Sequence, residues 1–216
     1  SPFVSIWCTT YNHANYIRQC LGGCLIQKTT FIFKIIVHDD ASTDDTSKIL
    51  QEYEAKYPQL IRCIYQSENQ FSKNNGHLAK TLVKEVKSKY IALCEGDDYW
   101  TDPYKLQKQV DFLEANEEYS LCFHNSILLN ERSNASKETL LINDLDKSIF
   151  YTEDLIKQWF IPTASMVFVA DKLKLPAWFS NIQSGDIALI LLLSLEGPAR
   201  LLKEVFSFYW LLPTFL

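Results

Sequence analysis

The chain of 216 residues is 47% hydrophobic and 13% aromatic, which is enough apolar material for one domain with a substantial core. Its net charge of -5 and pI near 5.4 argue against a nucleic-acid-binding protein that relies on a basic face, because phosphate contacts need clustered Lys and Arg. We therefore predict a single domain with no nucleic acid among its partners.

The first hundred residues alternate between strand and helix patterns. Short apolar runs rich in β-formers predict strands at residues 3–8, 33–38, 60–65 and 90–94. Apolar residues at helical spacing predict helices at residues 13–27 and 76–86. A further helix follows Ser42 or Thr43, either of which suits an N-cap, and ends before Pro58. This alternation favours a mostly parallel sheet.

After residue 100 the pattern is less regular. Pro103 predicts a helix start, and apolar runs predict strands at residues 121–124 and 164–169. Residues 185–195 predict a buried helix. Residues 130–147 are polar and irregular, which is typical of a variable surface loop.

Two of the predicted strands end in carboxylates. The runs Ile91-Ala-Leu-Cys-Glu-Gly-Asp97-Asp98 and Ile35-Ile-Val-His-Asp39-Asp40 share this form. Adjacent Asp residues repel each other, so a fold seldom places them at a strand end unless a cation or a hydroxyl-rich ligand compensates. Because ligands of open α/β sheets bind at the carboxyl ends of strands, we predict one shared site.

The six cysteines lie mostly in apolar runs without the paired spacing of a zinc site or a disulfide framework, which favours buried free thiols in a reducing compartment. Cys20 and Cys24, four residues apart on a predicted helix, would suit a two-ligand metal face, but burial statistics favour packing in the core, so we predict that the cysteines are structural.

Membrane signals are weak in this sequence. No signal peptide precedes Phe3, and the longest apolar stretch, residues 187–195, is about half the length of a membrane span. We predict a cytoplasmic protein. Its aromatic residues 206–216 are expected to dock either on lipid, at the inner face of the cytoplasmic membrane, or on a further segment.

Four motifs span nearly the whole chain: Val4-Ser-Ile-Trp-Cys-Thr-Thr-Tyr-Asn12, His38-Asp-Asp-Ala-Ser-Thr-Asp-Asp-Thr46, Glu95-Gly-Asp-Asp98 and Ser184-Gly-Asp186. In this order and spacing the chain resembles the inverting glycosyltransferases of family 2, which have the GT-A fold. The resemblance implies one α/β domain with a mostly parallel mixed central sheet flanked by helices. Residues 1–100 would bind the nucleotide, and residues 101–216 would face the acceptor.

The same resemblance implies an activity and its substrates. A sugar moves, with inversion, from a nucleotide-diphospho-sugar to a saccharide or lipid-linked acceptor, in the synthesis of cell-surface polysaccharide or glycolipid. A UDP-sugar is the expected donor.

By resemblance, the nucleotide is contacted by Thr9, Tyr11, Asn12, Asp40 and Asp97. Tyr11 either stacks on the base or caps the core as a loop aromatic. Ser42 and Asp44 are expected as cap and turn residues of the second helix. Asp98 is implied as the ligand of a divalent cation, Mn²⁺ or Mg²⁺, since hard cations prefer carboxylate oxygens and keep substrate phosphates as further ligands. Glu95 either supports this site or faces solvent.

An inverting transfer also needs a base opposite the leaving diphosphate. By resemblance Asp186 has that role. Its position after Ser184-Gly185 also suits an N-cap, and the two roles conflict, because a capping carboxylate is held ionised and is less basic.

On the acceptor side we expect contacts from Trp100, His124, Thr163 and Ser165. For His124 a structural role, bonded to backbone, is the favoured alternative. For Trp100 packing in the core or in a turn is an equal alternative.

The sequence departs from the family after its last strand. Many relatives carry a basic segment there that covers the diphosphate, whereas this chain reads Phe208-Tyr-Trp-Leu-Leu-Pro213. Either Arg18, Lys80 or another segment supplies the charge, or a catalytic lid lies outside these residues. A noncatalytic sugar-nucleotide-binding or assembly module therefore stays as the alternative function. A nucleotidyltransferase would need a Gly-rich basic phosphate loop, which we do not find in the sequence.

Overall fold

The computed structural model describes residues 1–73, 77–130, 139–142, 146–158, 160–182 and 185–211. The strands, numbered along the chain, are β1 Val4–Thr10, β2 Phe33–Asp39, β3 Ile61–Tyr65, β4 Tyr90–Glu95, β5 Tyr99–Trp100, β6 Leu121–Asn130, β7 Thr139–Leu140, β8 Ile149–Phe150, β9 Val167–Val169 and β10 Ala199–Leu211. The α-helices are α1 Ile17–Leu25, α2 Thr46–Lys56, α3 His77–Glu85, α4 Lys105–Ala115, α5 Thr152–Leu155 and α6 Gly185–Leu195.

The described strands form one mixed sheet in the order β3-β2-β1-β4-β9-β6-β10-β5, with β7 beside β6 and β8 beside β10. Strands β3, β2, β1 and β4 are parallel to one another, whereas β9 is antiparallel to both β4 and β6. Strand β10 runs parallel to β6 and antiparallel to the two-residue β5. This is the mostly parallel mixed sheet that the sequence predicts.

Helices cover both faces of the sheet, as a parallel sheet requires. Successive residues of β1 point to opposite faces, so Ile6 and Cys8 pack with α1, α2 and α4, while Trp7 packs with α3 and α6. Within the described ranges, no helix combines the length and the apolarity needed to cross a bilayer.

The predicted N-cap of α2 is wrong. The helix begins at Thr46, several residues after Ser42 and Thr43. Both side chains are used elsewhere, because Ser42 donates to Asp39 and Thr43 donates to Asn12. The polar loop is thus a connection between strand ends rather than a helix start.

The C-terminal half differs more from the prediction. Residues 163–165 form a 3-10 turn, so only Val167–Val169 of the predicted strand 164–169 is extended. Residues 206–211 belong to β10 and Phe206 is buried, so this stretch is not a free aromatic tail. Residues 212–216, and residues 131–138 and 143–145 of the predicted surface loop, lie outside the described residues.

Candidate active site

The carboxyl ends of three parallel strands meet at one edge of the sheet. Thr9 of β1 lies beside His38 of β2 on one side and beside Glu95 of β4 on the other. The two carboxylate-rich loops therefore leave the sheet next to each other. This confirms the prediction that both acidic strand ends lie at one edge.

The loop after β4 concentrates negative charge. Carboxylate oxygens of Glu95, Asp97 and Asp98 all lie within 4.8 Å of one another. The loop is turned back by a hydrogen bond from the N–H of Asp98 to the carbonyl of Glu95, 3.0 Å, and tied to β1 by one from the N–H of Gly96 to the carbonyl of Thr9, 2.8 Å. Asp98 is buried, and Glu95 and Asp97 are half-buried. Oxygen ligands so grouped suit a hard divalent cation.

Gly96 is a position where only glycine fits. A Cβ there would lie 2.5 Å from Oγ1 of Thr10 and 2.9 Å from Nδ1 of His13. Nε2 of His13 in turn lies 3.9 Å from Oδ2 of Asp97. Thr10 and His13 thus form a close-packed support for the acidic loop, a role that the sequence motifs do not reveal.

The electrostatics of the cluster also fit a cation. Burial, followed by the charges of Asp97 and Asp186, raises the pKa of Glu95 to about 8. Burial lowers the pKa of His13, although the nearby charges of Asp97 and Asp44 oppose that shift. Mutual repulsion of this kind is what a bound divalent cation would relieve.

The loop after β2 is held by hydrogen bonds within the protein. Oδ1 of Asp39 accepts from the N–H of Ser42 at 3.1 Å and from its hydroxyl at 2.5 Å, and Oδ2 accepts from the hydroxyl of Ser47. Asn12 has a positive φ of 58°. Its N–H donates to Oγ of Ser42 at 2.9 Å, and its Oδ1 accepts from the N–H of Thr43 at 2.7 Å. Asn12 therefore ties the loop after β1 to the loop after β2.

The two residues predicted to contact the base differ in exposure. Tyr11 is 42% exposed, so its ring does not cap the core, and stacking is the alternative that this position favours. Asp40 is buried and accepts N–H groups of Gln70 at 2.8 Å and Phe71 at 2.9 Å. Asp40 therefore orients the segment before α3, on which Phe71 is exposed and lines the cleft.

Asp186 and Glu95 line the same cavity of about 370 Å³. Its wall also includes Thr163 and several apolar side chains, among them Trp7, Leu82, Phe179 and Leu189. Because α6 begins at Gly185, Asp186 lies in the first helical turn and not at the N-cap. The capping alternative for Asp186 is therefore wrong, and its carboxylate borders the cleft.

Of the four predicted acceptor contacts, Thr163 lines the cavity. The other three are buried and use polar atoms inside the fold. Nε1 of Trp100 donates to a backbone carbonyl at 2.8 Å, and the hydroxyl of Ser165 donates to another at 2.6 Å. Nδ1 of His124 lies 2.8 Å from a third, and burial lowers the pKa of this imidazole well below its usual range. Trp100 therefore packs in the core and His124 is bonded to backbone, which are the structural alternatives given for them above. Ser165 is also buried in the core.

Tyr209 of β10 is a residue of this region that the motifs did not point to. Burial, followed by the charges of Glu95 and Asp98, raises the pKa of its phenol, so the phenol lies near the acidic loop. It occupies the segment where a basic residue was expected by resemblance. Arg18, one expected source of positive charge, instead pairs with Glu52 at 2.6 Å, with both side chains half-exposed.

Comparison with known sequences places these motifs in a family. Residues 5–170 match the model described as glycosyl transferase family 2. An uncharacterized protein of Mycobacterium tuberculosis is 40% identical over 166 residues, which are 76% of this chain and 46% of that protein. The chondroitin synthase of Escherichia coli is 28% identical over 94% of this chain and 28% of its own length. The chain thus spans less than half the length of these curated relatives.

Solved structures share the architecture. The structure of S. aureus TarS in complex with UDP-GlcNAc matches with a TM-score of 0.72 and 16% sequence identity. The match covers 97% of this chain and 59% of the TarS chain. The mannosyltransferase PcManGT from Pyrobaculum calidifontis, in complex with GDP-Man and Mn²⁺, matches 96% of this chain and 56% of its own with a TM-score of 0.68 at 14% identity. At these identities the likeness shows the fold. With the sheet order, the clustered carboxylates and the family match over residues 5–170, the chain belongs to glycosyl transferase family 2 and has the GT-A fold.

Proposed function

We propose that the chain transfers a sugar, with inversion, from a UDP-sugar to a hydroxyl group of a saccharide or lipid-linked acceptor. The observation that carries the proposal is the position of the carboxylates: Glu95, which belongs to the cluster with Asp97 and Asp98, lines the same cleft as Asp186. A cation-binding group and a base at one cleft are the two requirements of this chemistry.

The comparisons support the choice of substrates. TarS structures carry UDP and UDP-GlcNAc, whereas PcManGT carries GDP-Man, so a guanosine donor is the comparison to test. Relatives named as a chondroitin synthase and a putative teichuronic acid biosynthesis glycosyltransferase favour a cell-surface polysaccharide or glycolipid as the product. We place the reaction in the cytoplasm, at the membrane face for a lipid-linked acceptor, because six free thiols suit a reducing compartment.

Residues 1–100 would hold the nucleotide in this proposal. Tyr11 stacks on the base, and Asp40 accepts a base N–H with the lone pairs that its two backbone donors leave over. Asp97 accepts a ribose hydroxyl. Thr9 and Asn12 shape the loop on which the base rests.

The diphosphate would lie over the acidic loop. Asp98, helped by Glu95, would hold Mn²⁺ or Mg²⁺, which neutralises the charge that develops as the glycosidic bond breaks. The phenol of Tyr209 stays protonated at neutral pH and can donate a hydrogen bond to the leaving group.

Residues 101–216 would present the acceptor. Its hydroxyl oxygen attacks the anomeric carbon on the face opposite the diphosphate, and the new C–O bond forms as the bond to the diphosphate oxygen breaks. The electron pair leaves with the diphosphate, and the hydroxyl proton passes to the carboxylate of Asp186. Thr163 helps to position the acceptor, and the apolar wall of the cavity keeps water from competing.

Calorimetry with UDP and Mn²⁺, followed by transfer assays with a panel of UDP-sugars and GDP-mannose, tests the proposal. Asp186→Asn should keep UDP binding and lose turnover, while Asp171→Asn, in a 3-10 turn apart from the cavity lining, should keep both. NMR of the first product formed reads the anomeric configuration. Full activity in Asp186→Asn would overturn the role of the base. Binding without turnover for every donor and acceptor would favour the noncatalytic module.

A further inference from the structure

Three cysteine sulfurs meet in the core next to the acidic loop. Cys20 and Cys24 lie one turn apart on α1, and Cys94 directly precedes Glu95 on β4. All three thiols are fully buried, and their sulfurs lie within 4.8 Å of one another. Sγ of Cys20 is 3.7 Å from Sγ of Cys94 and 3.9 Å from Sγ of Cys8 on β1.

These separations match a tetrahedral thiolate site. Zinc bound to thiolate at about 2.3 Å places its sulfur ligands roughly 3.8 Å apart. Sulfurs in ordinary contact lie at a similar distance, so the spacing is necessary for a site but not sufficient. The positions of the three residues give further support, because two thiols at i and i+4 of α1 face a third on β4, so a helix and a strand bring the three sulfurs together.

A buried ammonium group is the second observation. Lys105 is fully buried, and its Nζ donates to Oε1 of Gln109 at 2.8 Å and lies 4.0 Å from the centre of the Trp100 ring. Burial favours the neutral amine of Lys105 and lowers its pKa, whereas negative charge on Cys94 and Cys24 favours the ammonium form. A charged Lys105 at this buried position would need such compensating negative charge, which thiolates of the cluster would supply.

We propose that Cys20, Cys24 and Cys94 bind one zinc ion in the core. Cys8, whose sulfur contacts that of Cys20, would have to move toward the other two sulfurs to fill the fourth position. Three thiolates around Zn²⁺ leave one net negative charge, which the ammonium of Lys105 would offset. The ligand thiols release their protons on binding, and the ion enters as the chain folds, because the folded core closes the thiols from water.

The cysteine site is distinct from the carboxylate cluster and prefers a different metal ion. Thiolates select zinc, whereas carboxylates suit Mg²⁺ and Mn²⁺, so the two ions need not compete. The sites are nevertheless linked. Cys94 directly precedes Glu95 on β4, so a zinc ion bound to Cys94 would anchor the strand end from which the acidic loop departs. In the metal-free protein the thiols of Cys20 and Cys94 donate to the carbonyls of Glu95 at 3.3 Å and Asp98 at 3.8 Å, and zinc binding would replace these hydrogen bonds.

The test uses Co²⁺ as a spectroscopic probe for zinc. The chain is refolded under reducing conditions with either ion, and metal content, circular dichroism and the thiolate-to-cobalt charge-transfer absorption are measured. We expect one ion per chain and a clear charge-transfer band. Cys24→Ser should weaken Co²⁺ binding at least tenfold, and Cys63→Ser, which alters a half-buried thiol outside the cluster, should leave it unchanged.

The deciding measurement is made on the unmodified chain, so the proposal can be rejected even if the Cys24→Ser variant does not fold. A folded chain that holds no zinc and shows no charge-transfer band with Co²⁺ overturns it. A Cys20–Cys94 disulfide in the folded protein, detected by peptide mass spectrometry, also overturns it. Binding of UDP and Mn²⁺ is measured on the same samples. A chain that binds UDP and Mn²⁺ but no zinc would contradict the zinc site alone and leave the proposed transferase function standing.

Discussion

Two pairs of adjacent aspartates lie where parallel strands end, one pair at β2 and one after β4. Asp39 and Asp40 accept hydrogen bonds from hydroxyl and N–H groups of their own chain. Asp97 and Asp98 instead lie with Glu95 in a cluster only 4.8 Å across, where the pKa of Glu95 rises to about 8. The first pair accepts hydrogen bonds that hold its own loop together, while the second belongs to a cluster of carboxylates of the kind that suits the proposed cation.

The two pairs differ in the donors that surround them. The hydroxyl of Ser42, which follows the first pair, donates to Asp39, and the N–H of Thr43 donates to Asn12 in the loop after β1. Asp40 accepts from N–H groups of the segment before α3. Asp98 is followed by Tyr99 and Trp100, which enter β5 and the core. The same Asp-Asp signature can thus hold a loop together or form part of a carboxylate cluster, depending on the residues that surround it.

We expect the largest effect from Asp98→Asn. The change removes a charge that the proposed cation needs, so sugar transfer should fall on the order of 10³-fold. The free energy of unfolding should stay the same or rise, because repulsion within the cluster decreases. Calorimetry with UDP and Mn²⁺ and thermal melting measure the two effects. If Asp98→Asn kept metal-dependent UDP binding, the cluster would not be the cation site.

Asp39→Ala should show the opposite pattern. The loss leaves hydroxyl and N–H donors of Ser42 and Ser47 without their acceptor, which should lower the free energy of unfolding by about 2–4 kcal/mol. Asp45→Ala is the matched control, because this exposed carboxylate makes no capping hydrogen bond and should cost less than about 0.5 kcal/mol. Urea unfolding reads both. Equal free energies of unfolding for Asp39→Ala and Asp45→Ala would show that the hydrogen bonds accepted by Asp39 do not stabilise the fold.

Glu95→Gln should change the pH dependence of stability. The pKa of Glu95 rises from 4.5 to about 8, so the metal-free folded state binds more protons, and the free energy of unfolding decreases as pH rises from about 4.5 to about 8. The contribution should be about 1–2 kcal/mol after solvent screening of this half-buried group. His13, whose pKa is lowered, acts in the opposite sense.

The readout for Glu95→Gln is therefore the difference between the unmodified chain and the variant at each pH. Mn²⁺ at saturation should flatten the curve of the unmodified chain in the same way as the substitution does. A slope that Glu95→Gln leaves unchanged would mean that Glu95 is ionised at neutral pH without a cation.

The smallest effect is expected from Tyr11→Ala. Loss of stacking on the base should weaken UDP binding by about 1 kcal/mol, or roughly five-fold, without altering the cation requirement. Tyr104→Ala, which removes another exposed ring, is the control. A comparison of the two variants shows whether the loop after β1 contributes to UDP affinity through the ring of Tyr11. Equal UDP affinities of the two variants would leave Tyr11 without a role in binding.

Local pattern accounts for much of the fold of residues 1–100. Strands β1 to β4 follow from apolar runs that end in polar residues, and their parallel order brings both acidic ends to one edge. Pairings between distant residues were not predictable in this way. Thr43 donates to Asn12 instead of capping a helix, and Asp40 orients Phe71.

The second half of the chain was harder to predict because burial there depends on strand register. Trp100 was expected at the cleft by resemblance and His124 because it ends a predicted strand, yet both lie in the core. Tyr209 approaches the acidic loop only because β10 pairs with β6. Likewise, the cysteine cluster joins α1 to β4, and spacing along the chain cannot reveal it.

The pairing of β5 with β10 bears on the order of folding. Trp100 pairs with Ser207, so the short strand that closes the acidic loop has its partner only when the last strand of the described chain docks. Because synthesis starts at the N-terminus, the acidic motif leaves the ribosome well before β10 does. The strand β5, which follows the acidic loop, can therefore pair with β10 only late in synthesis. Contacts this distant in sequence form slowly, since a long loop must close first. We therefore expect competence to bind the cation to be among the last properties that a refolding chain acquires.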